Sequence, residues 1–588
     1  MKLPAGRAIA RPALFAGAAV LFLAGLGDRD LWNPNEPLYG QAVVEMAATG
    51  DRLLPTVNGE SFAEKPPLYF WLALGVARVT GAVDEWSLRL PSALAGLVVV
   101  CLVYALVERY VGSRRAWIAA ALSATTFSVV WSARSIQMDL LLAATTIGAL
   151  SAALGRIGRR AWVAPLVAGA CVGLGALAKG PVGIVCPALV LAADAAAGGE
   201  ARRRIGLGWI AVAGVAAAAV AAPWYLAVAA RGDSGALSEL LWRQNVTRFF
   251  DPWDHAHPWW YYLEAVWLEG APWSFVATLA WRARDSDPGA RSLDRLAWIW
   301  IGTIVAFFSL SASKRGAYLL PAVPAIAILA SGVLDRLGRG VLSAGRRRAL
   351  WTFAGAAFAL LAAGGVWVAQ RAASYPEVVA PARALAAVLV AGAVAGAWTL
   401  ARRNRFPLGP LVALAATVAG AYLVAGAWAL PAANAYKSAR GFCVAVNERV
   451  SATAPLRSYG SWKWRSGYVY YTRRRIPRLE TDDALRAYFA RQGEVFLVVE
   501  RGALPEVRRI LGEVEPILVA QVGDNAAYLF TNRGATTPEA PLDGRTRSTG
   551  GAARSRRAPR PSTARGCAAC ARTTSRSRRP PDTGAGSG

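Results

Sequence analysis

The chain has 588 residues, of which 55% are hydrophobic and only 17% are charged, and its mean hydropathy is +0.33. Soluble domains average about 25% charged residues, so this composition excludes an ordinary soluble protein and indicates a membrane protein. The net charge of +28 does not indicate nucleic-acid binding, because the arginines lie in short clusters between apolar runs, as in cytoplasmic loops of multi-pass proteins.

The first apolar segment, residues 12–27, follows three cations and is similar to a signal sequence. It lacks a convincing small-residue cleavage site, so we expect a retained membrane span. The next stretch, residues 31–71, is far more charged than its flanks. It predicts a helix with Asn35 as N-cap, Glu36 and Pro37 in the first turn and Gly50 at its end. Glu36 then either stabilises the helix dipole or belongs to a catalytic loop on the membrane surface.

Runs of about 20 apolar residues are long enough to cross a bilayer. Thirteen such runs predict a polytopic α-helical membrane protein. They lie near residues 10–27, 88–108, 115–133, 138–155, 162–178, 182–198, 206–229, 262–281, 295–312, 315–334, 349–369, 382–400 and 409–430.

The arginine clusters predict the orientation. With a cytoplasmic N-terminus, all six clusters fall in cytoplasmic loops, as the positive-inside rule requires. The clusters are Arg109/Arg114/Arg115, Arg156/Arg159/Arg160, Arg202/Arg203/Arg204, Arg282/Arg284/Arg291/Arg295, Arg346/Arg347/Arg348 and Arg402/Arg403/Arg405. We therefore expect a multi-pass protein of the cytoplasmic (inner) membrane, with the loop at 28–87 and the C-terminal region outside the cytoplasm.

The region after the last span has the composition of a soluble domain. Residues 437–533 predict a small extracytoplasmic α/β domain, with strands at 468–472, 495–500, 516–522 and 526–531 and helices at 482–492 and 503–513. Residues 534–588 have almost no large apolar side chain and are expected to be disordered. The six cysteines indicate no disulfide framework, and the lone Cys567–Cys570 pair is a weak metal signal.

Polar residues gather in the loops on the external side. Such a set suits the transfer of a sugar from a lipid phosphate, because the departing phosphate needs cations or a metal ion to stabilise its charge. Candidate ligands of the lipid phosphate are Lys65, Arg248, Lys314 and Tyr318. Glu36 and Asp139 are candidate general bases toward a hydroxyl acceptor. Glu64 and His255 could share a divalent metal ion, although two ligands are a weak signal. Each residue alone could equally be an interfacial side chain.

Several motifs resemble one known family. They are LWNPNEPLYGQAVVEM, GDRLLPTVNGESFAEKPPLYFW, LAKGP, RFF…HAHPWWYYL and SKRGAYLLPAVPA. Together they resemble the GT-C glycosyltransferases that use polyprenyl-phosphate sugars, in the branch with protein O-mannosyltransferases and the lipid A aminoarabinose transferase. The resemblance covers about residues 30–530 and implies a transmembrane catalytic part, residues 1–436, followed by the external domain.

The resemblance implies roles for individual residues. The Asp-Glu pair of the family falls on Asn35 and Glu36, and Asp139 resembles the second acidic position. Among the other motifs, Glu64 and His255 match metal-associated positions, Lys65 matches the phosphate-binding lysine, and Tyr318 matches a tyrosine near the lipid phosphate.

Two positions depart from the family pattern. Asn35 cannot accept a proton at neutral pH, and Leu38 stands where the aminoarabinose transferase has an arginine. Three explanations remain open: Glu36 acts as the base, the acceptor is already an anion such as a phosphate, or this chain has lost activity.

The expected function is membrane glycosyl transfer from a polyprenyl-phosphate sugar to an external lipid, glycan or protein acceptor, with Asn35, Glu36 and Asp139 at the catalytic edge. Membrane lipids are the expected surroundings, and no nucleic acid is expected as a partner. The alternative is a transporter or flippase of a lipid-linked glycan. It accounts less well for charge gathered on one side, and no repeat of broken spans is visible.

Overall fold

The structure is a computed structural model that describes residues 5–155, 162–232, 234–251, 254–283, 285–460 and 465–533. The predicted disordered tail at 534–588, the Cys567–Cys570 pair and the cluster Arg156/Arg159/Arg160 lie outside the described residues. Helices dominate up to residue 450, and most strands follow after it.

The helices and strands before the C-terminal region are, in chain order, α1 Ala5–Leu23, α2 Asn35–Thr49, β1 Thr56–Val57, β2 Glu60–Ser61, α3 Leu68–Thr80, α4 Glu85–Val111, α5 Ser113–Ala124, α6 Phe127–Ala133, α7 Asp139–Leu154, α8 Val163–Lys179, α9 Val182–Ala196, α10 Glu200–Arg204, α11 Leu207–Ala230, α12 Ser234–Leu237, a π-helix Ser238–Thr247, α13 Arg248–Phe250, α14 Tyr261–Glu269, α15 Trp273–Thr278, α16 Pro288–Leu310, a 3-10 helix Gly316–Ala322, α17 Val323–Gly338, α18 Ala344–Ala372, α19 Pro376–Ala401, α20 Gly409–Val424, a π-helix Ala425–Ala429, α21 Leu430–Ala432 and α22 Asn434–Lys437.

The C-terminal elements are α23 Arg440–Arg449, β3 Leu456–Tyr459, α24 Arg465–Thr472, β4 Arg478–Leu479, α25 Asp482–Phe489, β5 Phe496–Glu500, a 3-10 helix Arg501–Ala503, α26 Leu504–Leu511, β6 Leu518–Val522 and β7 Asn525–Thr531.

The described residues contain seven helices that are long and apolar enough to cross a membrane, or eight if α5 and α6 form one bent span. Shorter apolar helices include α7, α8 and α9. A polytopic helical membrane protein is therefore confirmed, and the number of thirteen spans stays a prediction.

Two predicted spans are broken. α5 and α6 meet at an angle of 61°. At the bend, the hydroxyl groups of Thr125 and Thr126 donate hydrogen bonds to backbone carbonyls of the preceding turn. Such local hydrogen bonds compete with the helical ladder and favour a bend. The predicted span at 262–281 is divided into α14 and α15 by Gly270–Pro272, because proline cannot continue the ladder.

Helix α17 lies at the centre of the membrane part, and every residue from Val323 to Leu337 is buried. In contrast, only Trp224 and Val228 of α11 are buried, so α11 presents most of its apolar surface outward. α11 packs closely on α8 because Gly173 has no side chain: a Cβ there would lie 2.7 Å from the carbonyl oxygen of Ala217. Small residues at such contacts are typical of membrane helix pairs.

The loop at 31–71 is folded rather than extended. Helix α2 forms as predicted, except that Pro34, not Asn35, is the N-cap residue, and Gly50 ends the helix in the left-handed conformation. Glu45 on α2 then accepts hydrogen bonds from Thr56, Asn58 and Gly59, which fixes the small hairpin of β1 and β2.

The C-terminal region is a mixed five-stranded sheet in the order β4-β3-β5-β7-β6 with helices packed on it. β3 pairs in parallel with β4 and β5, whereas β7 is antiparallel to β5 and β6. An α/β arrangement is thus present in the predicted range. The predicted strand at 468–472 is wrong: these residues form helix α24, whose Tyr468 and Tyr470 are buried. Burial of these rings in helical register overrides their intrinsic preference for strands.

Candidate functional site

A polar cavity of about 120 Å³ lies where several helix ends and loops converge. Its walls come from the start of α2, the segment before α3, the start of α7, the link between α8 and α9, the π-helix before α13, and the segment from the end of α16 into the following 3-10 helix. The charged and polar lining residues are Asn35, Tyr39, Glu64, Lys65, Gln137, Asp139, Lys179, Gln244, Asn245, Arg248, Ser311, Ser313, Arg315 and Tyr318.

An ion pair joins two helix ends at this cavity. Asp139 is the first residue of α7 and Lys179 is the last of α8. Their side chains form an ion pair, and the Lys179 Nζ lies 4.5 Å from the centroid of the Tyr318 ring. The carboxylate at the helix start and the cation at the helix end also complement the two helix dipoles.

Lys65 is a partly buried cation in the cavity wall, and its Nζ donates to the carbonyl oxygen of Glu64 at 3.2 Å. Burial lowers the pKa of Lys65 to about 8; nearby Arg248 and Lys179 act in the same direction, and the Glu64 carboxylate opposes them. Among the described residues Lys65 forms no ion pair within 4.0 Å. A phosphate would therefore gain a cation that is largely free to bind it.

Two arginines complete the positive side of the cavity. The Nη2 of Arg248 donates to both carboxylate oxygens of Asp254, at 2.7 and 2.8 Å. The backbone of Arg315 is fixed by Tyr262, whose hydroxyl donates to the Arg315 carbonyl at 3.2 Å and accepts from its N–H at 3.1 Å. The lining therefore carries four cations, Lys65, Lys179, Arg248 and Arg315, and two carboxylates, Glu64 and Asp139. This excess of positive charge suits an anionic ligand.

Asn35 lines the cavity from the first residue of α2, one turn before Tyr39. Burial raises the pKa of the Tyr39 hydroxyl above its ordinary value, so Tyr39 is a neutral hydrogen-bond donor. Neither side chain can accept a proton from an acceptor hydroxyl at neutral pH, whereas Glu64 and Asp139 are the carboxylates on the wall.

Glu36 does not line the cavity, which corrects its predicted place at the catalytic edge. It is buried and bonded to two guanidinium groups: Arg29 at 2.8 Å and Arg89 at 2.9 Å. The N–H groups of Trp32 and Ile136 also donate to its carboxylate. Although burial alone would raise the pKa of Glu36, the two arginines and their hydrogen bonds lower it to about 2. Glu36 is therefore placed to hold α2, α4 and the start of α7 together.

Lys314 also lies away from the cavity lining. Its side chain is buried, and its Nζ donates to the carbonyl oxygens of His257, at 3.0 Å, and Ser311. Its backbone N–H donates to the carbonyl of His255 at 2.9 Å. Lys314 thus fixes the loop that carries both histidines, and its predicted contact with a lipid phosphate does not fit this geometry.

The residues present do not fit a metal site made by Glu64 and His255. Glu64 lines the cavity, whereas His255 is exposed, is not part of the lining and lies 3.7 Å from Asp254. In the part of the chain that the structure describes, no group of three His, Cys, Asp or Glu side chains could hold a metal ion.

The structure adds residues that had no predicted role. Lys179, Arg315 and Tyr39 join Asn35, Glu64, Lys65, Asp139, Arg248 and Tyr318 at the cavity. The sequence carries a signal for the first two, because a single cation after a long apolar run marks a helix end at the membrane surface. Tyr39 carries no such signal.

Comparison with known proteins gives the class of the fold. The crystal structure of ArnT from Cupriavidus metallidurans bound to undecaprenyl phosphate matches with a TM-score of 0.73 and 21% sequence identity, over 90% of this chain and 99% of that chain. The same protein in the apo state matches with a TM-score of 0.71. The chain therefore has a GT-C type membrane fold.

Sequence comparison gives one family match and several relatives. Residues 64–226 match the family model described as dolichyl-phosphate-mannose-protein mannosyltransferase, a range that includes Lys65, Asp139 and Lys179. An undecaprenyl phosphate-alpha-4-amino-4-deoxy-L-arabinose arabinosyl transferase of Pseudomonas aeruginosa is 31% identical over 342 residues, covering 56% of this chain and 60% of that protein. A second relative, the undecaprenyl phosphate-alpha-4-amino-4-deoxy-L-arabinose arabinosyl transferase 2 of Pseudomonas fluorescens, is 27% identical. The match covers 56% of this chain and 57% of that protein. The resemblance to this branch is confirmed, and the chain spans less than two thirds of the length of these relatives.

Proposed function

We propose that this protein is an integral membrane glycosyltransferase that moves a sugar from a polyprenyl-phosphate donor to an external lipid, glycan or protein acceptor. The observation that carries this proposal is the cavity at the helix ends, where four cations face two carboxylates. When the bond between sugar and phosphate breaks, charge develops on the phosphate oxygens, and fixed cations stabilise that charge.

A second cavity supports a lipid-linked donor. It has a volume of about 840 Å³ and an almost wholly apolar wall formed by α8, α9 and α11. The segment 179–182 contributes to both cavities: Pro181 lines the apolar one, and Lys179, Gly180 and Val182 line the polar one. A donor can thus place its phosphate among the cations and its hydrocarbon chain in the apolar cavity.

The cavity residues divide into three proposed roles. Lys65 and Arg248 bind the donor phosphate, assisted by the Tyr318 hydroxyl. Lys179, held by Asp139, neutralises the phosphate as it leaves. Asp139 and Glu64 are the carboxylates that remain for the acceptor side, and the Asn35 amide donates a hydrogen bond there. Direct displacement at the sugar carbon would invert its configuration.

The Asn35 amide cannot accept a proton, and the cavity lining has more cations than carboxylates. Both features favour an acceptor oxygen that is already ionised, such as a phosphate. Such an acceptor needs no general base, so an amide at position 35 is sufficient. The curated relatives are described by an aminoarabinose donor. We propose the same donor class, a sugar on undecaprenyl phosphate, for this chain.

We further propose that the cavity faces away from the cytoplasm at the inner membrane. The arginine clusters support this orientation, since they fall on the opposite side from the loops that bear Lys65, Asp139 and Arg248. The C-terminal region, which contacts the first external loop through Arg440 of α23 and Asp30 at 2.7 Å, then lies outside as well.

The test uses the full chain in lipid nanodiscs with a radiolabelled polyprenyl-phosphate sugar. The proposal predicts release of free polyprenyl phosphate in step with labelled acceptor, and loss of both products in Lys65→Gln and Asp139→Asn. A transporter would instead move the intact donor across a vesicle membrane without releasing polyprenyl phosphate, and that result would overturn the proposal.

A further inference from the structure

A separate cavity of about 200 Å³ lies between the end of α1, helix α6 and the π-helix after α20. Its wall is apolar except for two guanidinium groups and Ser135. The lining residues that matter here are Arg29, Arg134, Trp131, Tyr422 and Gly426. None of them lines the polar cavity described above.

Arg134 has only backbone acceptors. Its Nη1 donates to the carbonyl oxygens of Leu21, at 3.0 Å, and Phe22, at 3.4 Å. In the described ranges no carboxylate forms an ion pair with Arg134, and its Nε and Nη2 have no protein acceptor. These N–H groups are not enclosed by the protein, so they can donate to a ligand in the cavity, and such hydrogen bonds are strongest to an anion.

The Asp28 carboxylate acts on Arg134 through its charge, but the two form no ion pair within 4.0 Å among the described residues. Arg29 and Arg89 share one carboxylate, Glu36, and the Nη2 of Arg29 also donates to the carbonyl oxygen of Arg134 at 3.3 Å. Arg29 and Arg89 are thus paired with Glu36, whereas Arg134, whose charge they oppose, has no ion pair among the described side chains. The local excess of positive charge faces the cavity through Arg134.

The cavity is shaped around this guanidinium. Gly426 packs on it, and a methyl group at that position would clash with Nη2. Trp131 lines the same cavity and is 43% exposed, and its ring centroid lies 6.0 Å from the Arg29 Cζ. An indole at the rim, an apolar wall and a cation within are the features that bind a lipid with an anionic headgroup at a membrane interface.

We propose that this cavity, with Arg134 as its anchor, binds the phosphate of an anionic bilayer lipid. Arg134 lies five residues before Asp139, so the site is at the same membrane face as the polar cavity. The bound phosphate accepts hydrogen bonds from the free Nε and Nη2 groups, and an acyl chain lies along Val130, Phe127 and Tyr422. A lipid bound here would add an anion beside Arg134 and so stabilise Arg29, Arg89 and Arg134 next to the start of α2.

The experiment is native mass spectrometry of the full chain from nanodiscs that contain phosphatidylglycerol and phosphatidylcholine. The wild type should retain one phosphatidylglycerol after the bulk lipid is removed, and Arg134→Gln should weaken its retention by about tenfold, as expected for a charge-assisted hydrogen bond. The matched control, Arg403→Gln, changes an exposed arginine at a different loop and should retain the lipid as the wild type does.

A second variant separates binding from folding. Ala425→Phe fills the cavity and leaves Arg134 in place, so it should also lose the lipid while its thermal unfolding stays two-state and cooperative. Equal retention of phosphatidylglycerol in the wild type and both cavity variants would overturn the proposal. Displacement by millimolar inorganic phosphate, with phosphatidylcholine retained equally well, would show a site for free phosphate and would also contradict it.

Discussion

At the residue scale, the cavity separates side chains that we propose bind a ligand from side chains that support the fold. Lys65, Arg248 and Asp139 line the cavity. Glu36 and Lys314 are instead bonded to other residues of this chain, away from the cavity. In the sequence the two groups look alike, because both consist of charged residues near the ends of apolar runs. The difference arises from contacts made by residues far away in the chain, such as Arg89, which no local pattern encodes.

The pKa of Lys65 gives a pH test of phosphate binding. Its pKa of about 8 means that the cationic form is lost as pH rises through 8, so affinity for undecaprenyl phosphate should fall by up to about tenfold between pH 8 and pH 9. Lys65→Arg keeps its charge over this range and should bind equally at both pH values. Titration by intrinsic tryptophan fluorescence measures this, and an identical decline in both proteins would contradict the assignment.

Glu36→Gln should act on stability rather than on chemistry. Loss of the carboxylate leaves Arg29 and Arg89 buried without a counter-charge, which costs about 3–5 kcal/mol. Because the pKa of Glu36 is lowered in the folded protein, its contribution is present above about pH 4.5 and is lost as pH falls toward 2. Thermal unfolding of purified protein measures the cost.

The matched control is Glu60→Gln, since Glu60 is exposed and its 2.8 Å pair with Arg465 should contribute less than about 1 kcal/mol. A Glu36→Gln protein with unchanged stability and no transfer activity would restore Glu36 to the catalytic edge.

Asn35→Asp tests the nature of the acceptor. If the acceptor oxygen is already an anion, a new carboxylate at the cavity repels it, and turnover should fall by roughly tenfold at neutral pH. If the acceptor is a hydroxyl that lacks a base, turnover should rise instead. Initial rates with saturating donor distinguish the two cases, with Asn33→Asp outside the cavity lining as the control.

At the element scale, helix α24 connects the C-terminal sheet to the first loop. The hydroxyl of Tyr471 accepts from the Leu31 N–H at 2.7 Å and donates to Glu85 at 3.1 Å. Propensity predicts a strand at 468–472, and the structure has a helix, because these tyrosines face the loop and the core of the domain at helical spacing. Helix α2 could be predicted from the sequence, because the glycine that ends it, Gly50, is a signal within the segment itself.

Tyr471→Phe should therefore loosen the start of α2. Removal of the hydroxyl leaves a buried N–H without its acceptor, at a cost of about 1–3 kcal/mol. Hydrogen exchange should increase at residues 30–36 without a change in the sheet strands β5 and β7. Tyr528→Phe, on a sheet residue that does not touch the loop, is the control. Unchanged exchange at 30–36 would show that the contact does not hold the loop.

At the scale of the whole molecule, the apolar runs and arginine clusters were enough to predict a polytopic helical protein, because hydrophobic length is read directly from the sequence. The breaks in α5–α6 and α14–α15 depend on Thr125 and Pro272 within otherwise apolar runs, so they were missed. The polar cavity needs six separate segments to converge, and only the tertiary fold brings them together.

The predicted orientation can be tested in spheroplasts with single cysteines in a cysteine-free background. A cysteine at Glu480, exposed on the C-terminal domain, should react with an impermeant maleimide in intact spheroplasts. One at Ser343, exposed beside the cluster Arg346/Arg347/Arg348, should react only after permeabilisation. The reverse pattern would place the cavity in the cytoplasm.

The most direct test of the donor site is photo-crosslinking with undecaprenyl phosphate that carries a diazirine on its first isoprene unit. We predict adducts in the segments 64–66, 137–139, 179–182 and 244–249, and their loss in Lys65→Gln. Adducts confined to the outward faces of α18 and α19, unaffected by Lys65→Gln, would contradict the claim that this cavity holds the lipid phosphate.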